Sequence, residues 1–152
     1  MSKQSNDTNV NRRFLVALGG NLEPTLIGNA EILRSAVRAM GEGPGRITRV
    51  SRFFRSPAFP AGAGPDYVNA AVSLVSSETP GALLERLHRI EAAHGRRRET
   101  RWGARVLDLD LLACEDRVLP DVATQARWRD LPLEAQMTEA PGQLILPHPR
   151  LQ

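Results

Sequence analysis

The segment from Val106 to Cys114 limits the possible folds of this chain more than any other. Three leucines alternate in it with two aspartates, Asp108 and Asp110. Successive side chains of a β-strand point to opposite faces, so one face of this strand is apolar and the other presents both carboxylates. We therefore predict a strand over 106–114 that buries its leucines and holds two acids about 7 Å apart on its other face.

Clear helix and strand patterns precede this segment. Short apolar or alternating runs predict strands over 14–18, 47–56 and 68–74. Apolar residues at three- and four-residue spacing predict amphipathic helices over 25–40 and 79–95. The order β-α-β-β-α-β predicts an α+β fold of the ferredoxin-like sandwich kind, in which two helices pack on one face of an antiparallel sheet.

The rest of the chain gives weaker signals. We expect a disordered tail over 1–13 and a single domain over 14–152, which is long enough to bury a core. Within it, 118–142 reads as a surface insertion with a possible short helix at 123–129. No apolar run approaches the ~20 residues that span a bilayer, and the first 13 residues lack the apolar region of a secretion signal. We expect a cytoplasmic monomer that does not bind membranes.

Composition excludes several kinds of site. Cys114 is the only cysteine, which rules out an internal disulfide and a cysteine-built zinc site. Lys3 is the only lysine, and both a P-loop and a protein kinase need a lysine within the folded region. The net charge of +3 fits anionic ligands but does not by itself indicate nucleic acid. Any chemistry with ATP in this chain must therefore rely on arginine and metal.

The segment before the aspartates is rich in arginine. A guanidinium group can hold phosphate oxygens in a two-pronged contact, and Mg²⁺ prefers a few carboxylates together with water and substrate phosphates. A phosphate-binding loop beside a metal site is one interpretation. The alternative is a solvated loop and strand face whose acids pair with arginines. The residues concerned are Arg96, Arg97, Arg98, Arg101, Trp102 and Arg105, followed by Asp108 and Asp110.

A second candidate site lies near the start of the third predicted strand. Tyr67 and Asn69 share the polar side of this strand, opposite its apolar face. Tyrosine can stack on a flat heterocycle, and an asparagine amide offers both a donor and an acceptor to its edge. Phe59, in the preceding loop, could add apolar cover. The alternative is an ordinary polar outer face.

Six segments of the sequence form a specific set, and the one over 101–111 is the most specific. They are Leu-Gly-Gly-Asn-Leu (18–22), Phe-Arg-Ser-Pro (54–57), Pro-Asp-Tyr-Val-Asn-Ala (65–70), Ile-Glu-Ala-Ala-His-Gly-Arg (90–96), Arg-Trp-Gly-Ala-Arg-Val-Leu-Asp-Leu-Asp-Leu (101–111) and Leu-Pro-His-Pro-Arg (146–150). In this order the set resembles the 6-hydroxymethyl-7,8-dihydropterin pyrophosphokinase family of folate biosynthesis, whose fold is the ferredoxin-like sandwich.

The resemblance implies transfer of a diphosphate group from ATP to the hydroxymethyl group of 6-hydroxymethyl-7,8-dihydropterin, with release of AMP. It implies two Mg²⁺ ions at Asp108 and Asp110, and catalytic roles for these aspartates and for Arg96 and Arg105. The implied ATP contacts are Glu91, Arg96, Arg98, Arg101, Trp102, Arg105 and His148. The implied pterin contacts are Ser56, Pro57, Phe59, Tyr67, Asn69 and Trp102.

The C-terminal end departs from the family pattern. Relatives continue with an arginine, an aromatic residue that closes the pterin pocket and an apolar segment, whereas this sequence ends at Gln152. Loss of one stacking face would cost roughly 1–3 kcal/mol of binding. A shortened, weakly active or inactive pterin- and ATP-binding remnant is therefore one alternative. A ferredoxin-like RNA-binding module is another, although the predicted strands lack its usual aromatic residues.

Overall fold

The five strands that the structure describes form one antiparallel sheet. The computed structural model describes residues 10–21, 25–58, 62, 64–95 and 107–151. The strands lie in the order β2-β4-β1-β5, and β3 pairs with β4 beyond the end of β2. The elements are β1 (Arg12–Gly20), α1 (Leu26–Gly41), β2 (Gly45–Val50), β3 (Phe54–Ser56), β4 (Tyr67–Ser76), α2 (Pro80–Gly95), β5 (Asp108–Cys114), α3 (Val122–Arg129) and α4 (Leu133–Thr138).

The strand predicted over 47–56 is two strands. The pairing of β2 with β4 shifts register between Ile47 and Arg49 and continues as far as Val50, which lies opposite Val72. Ser51 then takes the place of a strand residue, because its backbone N–H donates to the Ala71 carbonyl at 2.8 Å and its hydroxyl accepts from the Ala71 N–H at 2.9 Å. Pairing with β4 resumes in β3, where Phe54 lies opposite Asn69.

The two long helices begin and end where the sequence indicates. The Thr25 hydroxyl accepts from the Gly28 N–H at 3.0 Å and caps α1. The Thr79 hydroxyl accepts from the Ala82 N–H at 3.2 Å at the start of α2. Such side-chain acceptors satisfy N–H groups that have no partner within the first turn. The end of α2 at Gly95 also agrees with the prediction.

Helices α1 and α2 cover one face of the sheet, and every second strand residue enters the core between them. The other face carries the intervening residues and is called here the open face. Because residues directly opposite each other in paired strands project to the same side, the register identifies its members. On β1, β4 and β5 they include Ala17, Gly19, Tyr67, Asn69, Asp108 and Asp110. The opposite, buried set includes Phe14, Val16, Leu18, Val68, Val72, Leu74, Leu109 and Leu111 together with Leu33, Met40, Leu83 and Leu87 of the helices.

A buried ion pair at the start of α2 lies at one end of this core. Arg86 of α2 donates to both carboxylate oxygens of Glu78, at 2.9–3.2 Å, and the side chains of both residues are only 11% exposed. The same guanidinium donates to the Met40 carbonyl at 3.1 Å, near the end of α1. The pair thus satisfies both charges and terminal carbonyls of α1 that lack an intrahelical partner.

A long connection follows β5 and is closed at its base. The backbone groups of Leu119 and Leu146 bond to each other in both directions, at 2.8 and 3.1 Å. Residues 120–145 between them are called here the excursion, and they contain α3 and α4. The possible helix at 123–129 agrees with α3, whereas α4 was not predicted. None of the helices in the described ranges is long and apolar enough to cross a bilayer.

The first strand begins within the segment that was expected to be a tail. Strand β1 starts at Arg12, so it includes the last two residues of the range 1–13 that was expected to be a tail. Residues 1–9 lie outside the described residues.

Candidate functional site

The two aspartates of β5 occupy the open face, as predicted. Asp108 lies opposite Gly19 and Asp110 lies opposite Ala17. Leu109 between them is 3% exposed and belongs to the core, which fixes the direction of both carboxylates. Asp108 is half-buried and Asp110 is exposed. The neighbouring β1 residues have little or no side chain, so space is left in front of both acids.

The register of the sheet joins the two candidate sites. Gly19 is opposite Asn69 on one side and opposite Asp108 on the other, which places all three in one row across the sheet. Neighbouring strands are about 4.8 Å apart, so the backbones of Asn69 and Asp108 are separated by about 10 Å. Gly19 leaves the middle of this row without a side chain. A Cβ atom there would lie 3.2 Å from the Asn69 Oδ1 atom.

The pterin-side candidates cluster at the junction of β3 and β4. The Asn69 amide nitrogen donates to the Ser56 hydroxyl at 2.7 Å, which leaves the amide oxygen and the second N–H of Asn69 for other partners. Ser56 lies opposite Tyr67, and Pro57 follows it directly. The register also places Phe54 opposite Asn69, where its ring is 59% exposed. Phe54 was not singled out from the sequence, because the prediction of one strand over 47–56 did not assign its side chain to either face of the sheet.

The loop before β4 is held by the turn after β1. The Asn21 amide donates to the Pro65 carbonyl at 3.3 Å. Arg55 of β3 forms an ion pair with Asp66. The Gly-Gly-Asn segment, which carried little information in isolation, therefore connects the end of β1 with the segment that leads into Tyr67.

Two cavities flank β5 and share three residues, Asp110, His148 and Arg150. The smaller cavity, of about 490 Å³, lies on the open face and is also lined by Ala17 and Asp108. The larger one, of about 560 Å³, lies at the outer edge of β5. Its lining comes from α2, from β5 and from the end of the excursion, and includes Leu84, His88, Glu91, Leu109, Ala140, Gln143 and Leu144.

Glu91 and His148 are both held at the free edge of β5. The Glu91 carboxylate accepts from the Leu109 N–H at 3.3 Å. The backbone N–H of His148 donates to the Leu112 carbonyl at 2.8 Å. The His148 Nδ1 atom accepts from the backbone N–H of Arg150 at 3.2 Å. An Nδ1 atom that accepts carries no proton, so in the neutral ring the proton is on Nε2 and can be donated to a ligand. The predicted nucleotide-side residues Glu91 and His148 therefore line the same cavity.

Cys114 gives no nucleophile to this site. Burial raises the pKa of its thiol above the ordinary value, while the charge of Arg117 opposes this shift. A buried, protonated thiol is a poor nucleophile.

The aspartate pair fits a metal that is completed by a substrate. Within the described ranges, no three His, Cys, Asp or Glu side chains come close enough to bind a metal ion by themselves. Two oxygen-donor side chains on one strand face, beside a cavity, suit Mg²⁺, which keeps several waters and takes further ligands from phosphates. They do not suit zinc, which needs three or four side-chain ligands.

Six predicted site residues lie outside the described residues: Phe59, Arg96, Arg98, Arg101, Trp102 and Arg105. Conversely, His88, Arg150 and Gly19 emerge only from the structure. His88 precedes Glu91 by three residues and so shares its side of α2, a signal that was present in the sequence. Arg150 belongs to the Leu-Pro-His-Pro-Arg segment. The position of Gly19 depends on cross-strand register, for which the sequence holds no local signal.

Comparisons with known proteins show the family of this chain. The model of the family "7,8-dihydro-6-hydroxymethylpterin-pyrophosphokinase (HPPK)" matches residues 15–152. A Pseudomonas putida relative is 40% identical over 108 residues, which cover 70% of this chain and 86% of the relative. A Bacillus subtilis relative is 31% identical over 144 residues, with 93% and 71% covered. Both are named 2-amino-4-hydroxy-6-hydroxymethyldihydropteridine pyrophosphokinase.

A Synechocystis relative of the same name is 37% identical over 139 residues. The alignment covers 91% of this chain but only 58% of that relative, so the chain spans less than two thirds of its length. The match to the family model covers most of this chain and includes both aspartates, Tyr67, Asn69 and His148. The chain belongs to the 7,8-dihydro-6-hydroxymethylpterin-pyrophosphokinase family.

Proposed function

We propose that this chain transfers the terminal diphosphate of ATP to the hydroxymethyl oxygen of 6-hydroxymethyl-7,8-dihydropterin and releases AMP. The observation that carries the proposal is the row Asn69–Gly19–Asp108 on the open face. It puts a site for a flat heterocycle and a site for metal-bound phosphate about 10 Å apart, with no side chain between them. Family membership and the names of the curated relatives support the same reaction.

The two cavities suit the two ends of ATP. The smaller cavity contains both carboxylates and would hold the polyphosphate with its metal. The larger cavity has apolar walls and polar groups at its rim, and would hold the nucleoside. His148 lines both cavities, so its Nε2–H can be donated to an oxygen near the link between nucleoside and phosphates.

Asp108 and Asp110 would hold Mg²⁺, with two ions as the stoichiometry that we propose. When bound, Mg²⁺ would neutralise phosphate charge and lower the pKa of a coordinated hydroxyl group. The contribution of this chain is to fix the two carboxylates on β5, whose pairing with β1 sets their spacing. Positioning of this kind dominates catalysis of phosphoryl transfer.

The pterin would lie against the β3–β4 junction. Asn69, whose amide is oriented by its bond to Ser56, would hydrogen-bond the edge of the ring, and Tyr67 would stack on it. Pro57, Phe59 and Trp102 would complete the pocket. We also propose phosphate contacts from the arginine-rich segment before β5, with Arg96 and Arg105 stabilising the charge of the leaving AMP. The remaining proposed ATP contacts are Glu91, Arg98, Arg101 and Trp102.

We further infer a ferredoxin-like arrangement and a monomeric enzyme. The strand order β2-β4-β1-β5, with both long helices on one face, supports the fold inference.

The alternatives have less in their favour. A ferredoxin-like RNA binder would stack bases on aromatic residues of its central strands. On the open face, β1 instead presents Arg13, Leu15, Ala17 and Gly19. No observation among the described residues favours the alternative of an inactive remnant.

The identity of the nucleotide product tests the proposal. The protein is incubated with ATP, Mg²⁺ and 6-hydroxymethyl-7,8-dihydropterin, and nucleotides are separated by chromatography. AMP in equal amount to the pterin diphosphate is the expected result, whereas ADP would mean transfer of a single phosphoryl group. Absence of any turnover with correctly folded protein would favour the inactive remnant.

Asp110→Ala provides the residue-level test. Removal of one carboxylate ligand is expected to lower kcat/KM at least about 100-fold, because the metal-dependent stabilisation is worth several kcal/mol. Asp116→Ala is the matched control, since Asp116 is exposed and lines neither cavity. Equal Mg²⁺ dependence of ATP binding in the Asp110 variant and the wild type would refute the metal assignment.

A further inference from the structure

The open face carries three arginines at the end that lies away from the aspartates. Arg13 of β1 and Arg46 of β2 lie opposite the same β4 residue, Val75, from its two sides. They are therefore in one row across the sheet, with their backbones about 10 Å apart. Arg49 of β2 lies in the next row, opposite Ser73. All three arginines are exposed, and they are called here the basic platform.

The register shift in β2 brings Arg46 and Arg49 to the same face. In a regular strand, residues three apart point to opposite faces. Because the shift adds one residue, Thr48, Arg46 and Arg49 instead lie opposite β4 residues that are two apart. The Thr48 hydroxyl donates to the Ser73 carbonyl at 3.0 Å, which holds the added residue against β4. The two arginine side chains thus start from positions about 7 Å apart on one face.

The charge of the basic platform is not neutralised within the part of the chain that the structure describes. No ion pair or side-chain hydrogen bond joins its guanidinium groups to a described residue. The Glu115 carboxylate lies beside the platform, but it accepts from the backbone N–H of Arg13, at 3.2 Å. The surface between the arginines is formed by Leu15, Ser73 and Val75, of which Leu15 is 38% exposed. Small and apolar side chains therefore separate three cations that are available to a partner.

The chemistry of the basic platform favours an acidic polypeptide segment. Alternate side chains of an extended segment lie about 7 Å apart on one side, which matches the positions of Arg46 and Arg49. Each guanidinium group can donate two parallel hydrogen bonds to one carboxylate. A nucleic acid would call for aromatic residues that stack on its bases, and there are none among the arginines or between them. Two copies of this chain that met through this face would oppose arginine with arginine, which is unfavourable.

We propose that the basic platform is a docking surface for an extended, acidic segment of another protein. Alternate carboxylates of this segment would pair with Arg46 and Arg49, and a further one with Arg13. Ala17, which lies opposite Asp110, is four residues from Arg13 on β1. The docked segment would therefore lie about 14 Å from the aspartate pair, on the same face and beside the reaction site. This inference goes beyond the proposed function and does not depend on it.

The first test measures binding of an acidic peptide to the full chain. The probe is a fluorescein-labelled dodecapeptide in which glutamate alternates with threonine, and fluorescence anisotropy is recorded at low ionic strength, where exposed charges are little screened. The wild type is compared with Arg46→Glu/Arg49→Glu. The matched control is Arg38→Glu/Arg89→Glu, which changes the net charge equally at exposed positions of α1 and α2, on the other side of the sheet.

We expect Arg46→Glu/Arg49→Glu to bind the peptide at least tenfold more weakly than the wild type, and the control to bind within threefold. Equal weakening in both variants would mean that only net charge matters, and the proposal would then be wrong. Absence of binding to the wild type would overturn it as well. Arg46→Gln/Arg49→Gln removes the charges without reversing them and should weaken binding at least fivefold, which keeps the test decisive if the double reversal does not fold.

The second test separates the face of the sheet from its free edge. Arg13 is two strands away from the outer edge of β2, so a peptide that merely added a strand to that edge would not reach it. We expect Arg13→Glu to weaken binding of the peptide at least threefold. Unchanged binding in Arg13→Glu, together with a loss in the β2 variant, would assign the peptide to the edge of β2 and contradict the platform.

Two further measurements address other occupants. Tighter binding of a single-stranded thymidine dodecamer than of the peptide, abolished in Arg46→Glu/Arg49→Glu, would assign the face to nucleic acid and overturn the proposal. A dimer of the wild type that the same variant lacks in sedimentation would assign the face to a second copy of this chain. None of these measurements uses ATP or pterin. Failure of peptide binding beside normal AMP formation would refute this inference alone, and the converse result would refute the proposed reaction alone.

Discussion

Gly19→Val tests the row that joins the two halves of the site. A Cβ atom at this position would lie 3.2 Å from the Asn69 Oδ1 atom, which is a few tenths of an ångström closer than an ordinary contact. The two methyl groups of valine extend further over the open face, between Asn69 and Asp108. The Asn69 amide must therefore move, although its 2.7 Å bond to Ser56 resists this. A displacement near 1 Å costs about 100-fold in rate, which is about 2.7 kcal/mol of transition-state stabilisation.

The fold should tolerate this change. Gly19 is half-buried in a strand and its φ is outside the left-handed region, so a β-branched residue suits the backbone. Replacing glycine also lowers the entropy of the unfolded chain, so we expect the free energy of unfolding to stay equal or rise by about 0.5 kcal/mol. Urea unfolding measures this. A loss of activity can then be attributed to the site.

The assay is the initial rate of AMP release at varied pterin and at varied ATP. We expect kcat/KM for the pterin to fall about 100-fold in Gly19→Val and less in Gly19→Ala, with KM for ATP within threefold. Gly81→Ala is the control for loss of a glycine, because a Cβ atom there would meet nothing within 4 Å. A normally folded Gly19→Val enzyme with wild-type kcat/KM would refute the idea that transfer occurs across this row.

Three further predictions concern single groups. Asn69→Leu should raise KM for the pterin at least tenfold and leave ATP binding unchanged, since an apolar side chain cannot bond the ring edge. Glu78→Ala leaves the buried Arg86 charge without its carboxylate and should lower the free energy of unfolding by about 3 kcal/mol, as measured in urea. The raised pKa of Cys114 keeps its thiol neutral in the folded state after the unfolded thiol ionises. The free energy of unfolding should therefore fall more steeply between pH 8 and 10 in the wild type than in Cys114→Ala.

Each of these has a control or a contrary outcome. Weaker ATP binding in Asn69→Leu would mean that Asn69 does not act on the pterin alone. Glu85→Ala, at an exposed position of α2, should lose far less stability than Glu78→Ala. For Cys114 the direction of the pH dependence of stability is fixed. A group whose pKa is raised in the folded state stabilises the fold below its unfolded pKa and loses this effect as pH rises. Parallel pH profiles of wild type and variant would contradict the pKa assignment.

The sequence was sufficient wherever structure depends on local patterns. The alternation of Leu109 and its leucine neighbours with Asp108 and Asp110 predicted a one-sided strand, and apolar residues at three- and four-residue spacing predicted both long helices. Each of these signals lies within a few residues of the feature that it predicts. The alternation of apolar and polar residues over 68–74 likewise predicted the strand β4.

The sequence was insufficient wherever structure depends on which strands pair and in what register. The division between β2 and β3 depends on the pairing with β4, which extends to Val50 and begins again at Phe54, and no residue in 47–56 signals it alone. The row through Gly19 arises only when β4 and β5 flank β1. Helix α4 has six residues and none of them is buried, so it has no apolar stripe to detect. Residues 140–145 line a cavity together with residues of α2, some 50 residues earlier in the chain, and the sequence holds no local signal of this proximity.

The bond between Leu119 and Leu146 has a consequence for how such a chain can diversify. Because the two ends of the excursion meet at hydrogen-bond distance, its length can change without moving the sheet. Doubling the length of a flexible loop costs only about 0.6 kcal/mol of closure entropy. Insertions and deletions between these two leucines that leave α3 and the bond from Gln125 to the Pro147 carbonyl intact should therefore cost little in folding. The loop can therefore be exchanged by design while the pairing of β5 with β1, and with it the spacing of the two carboxylates, stays the same.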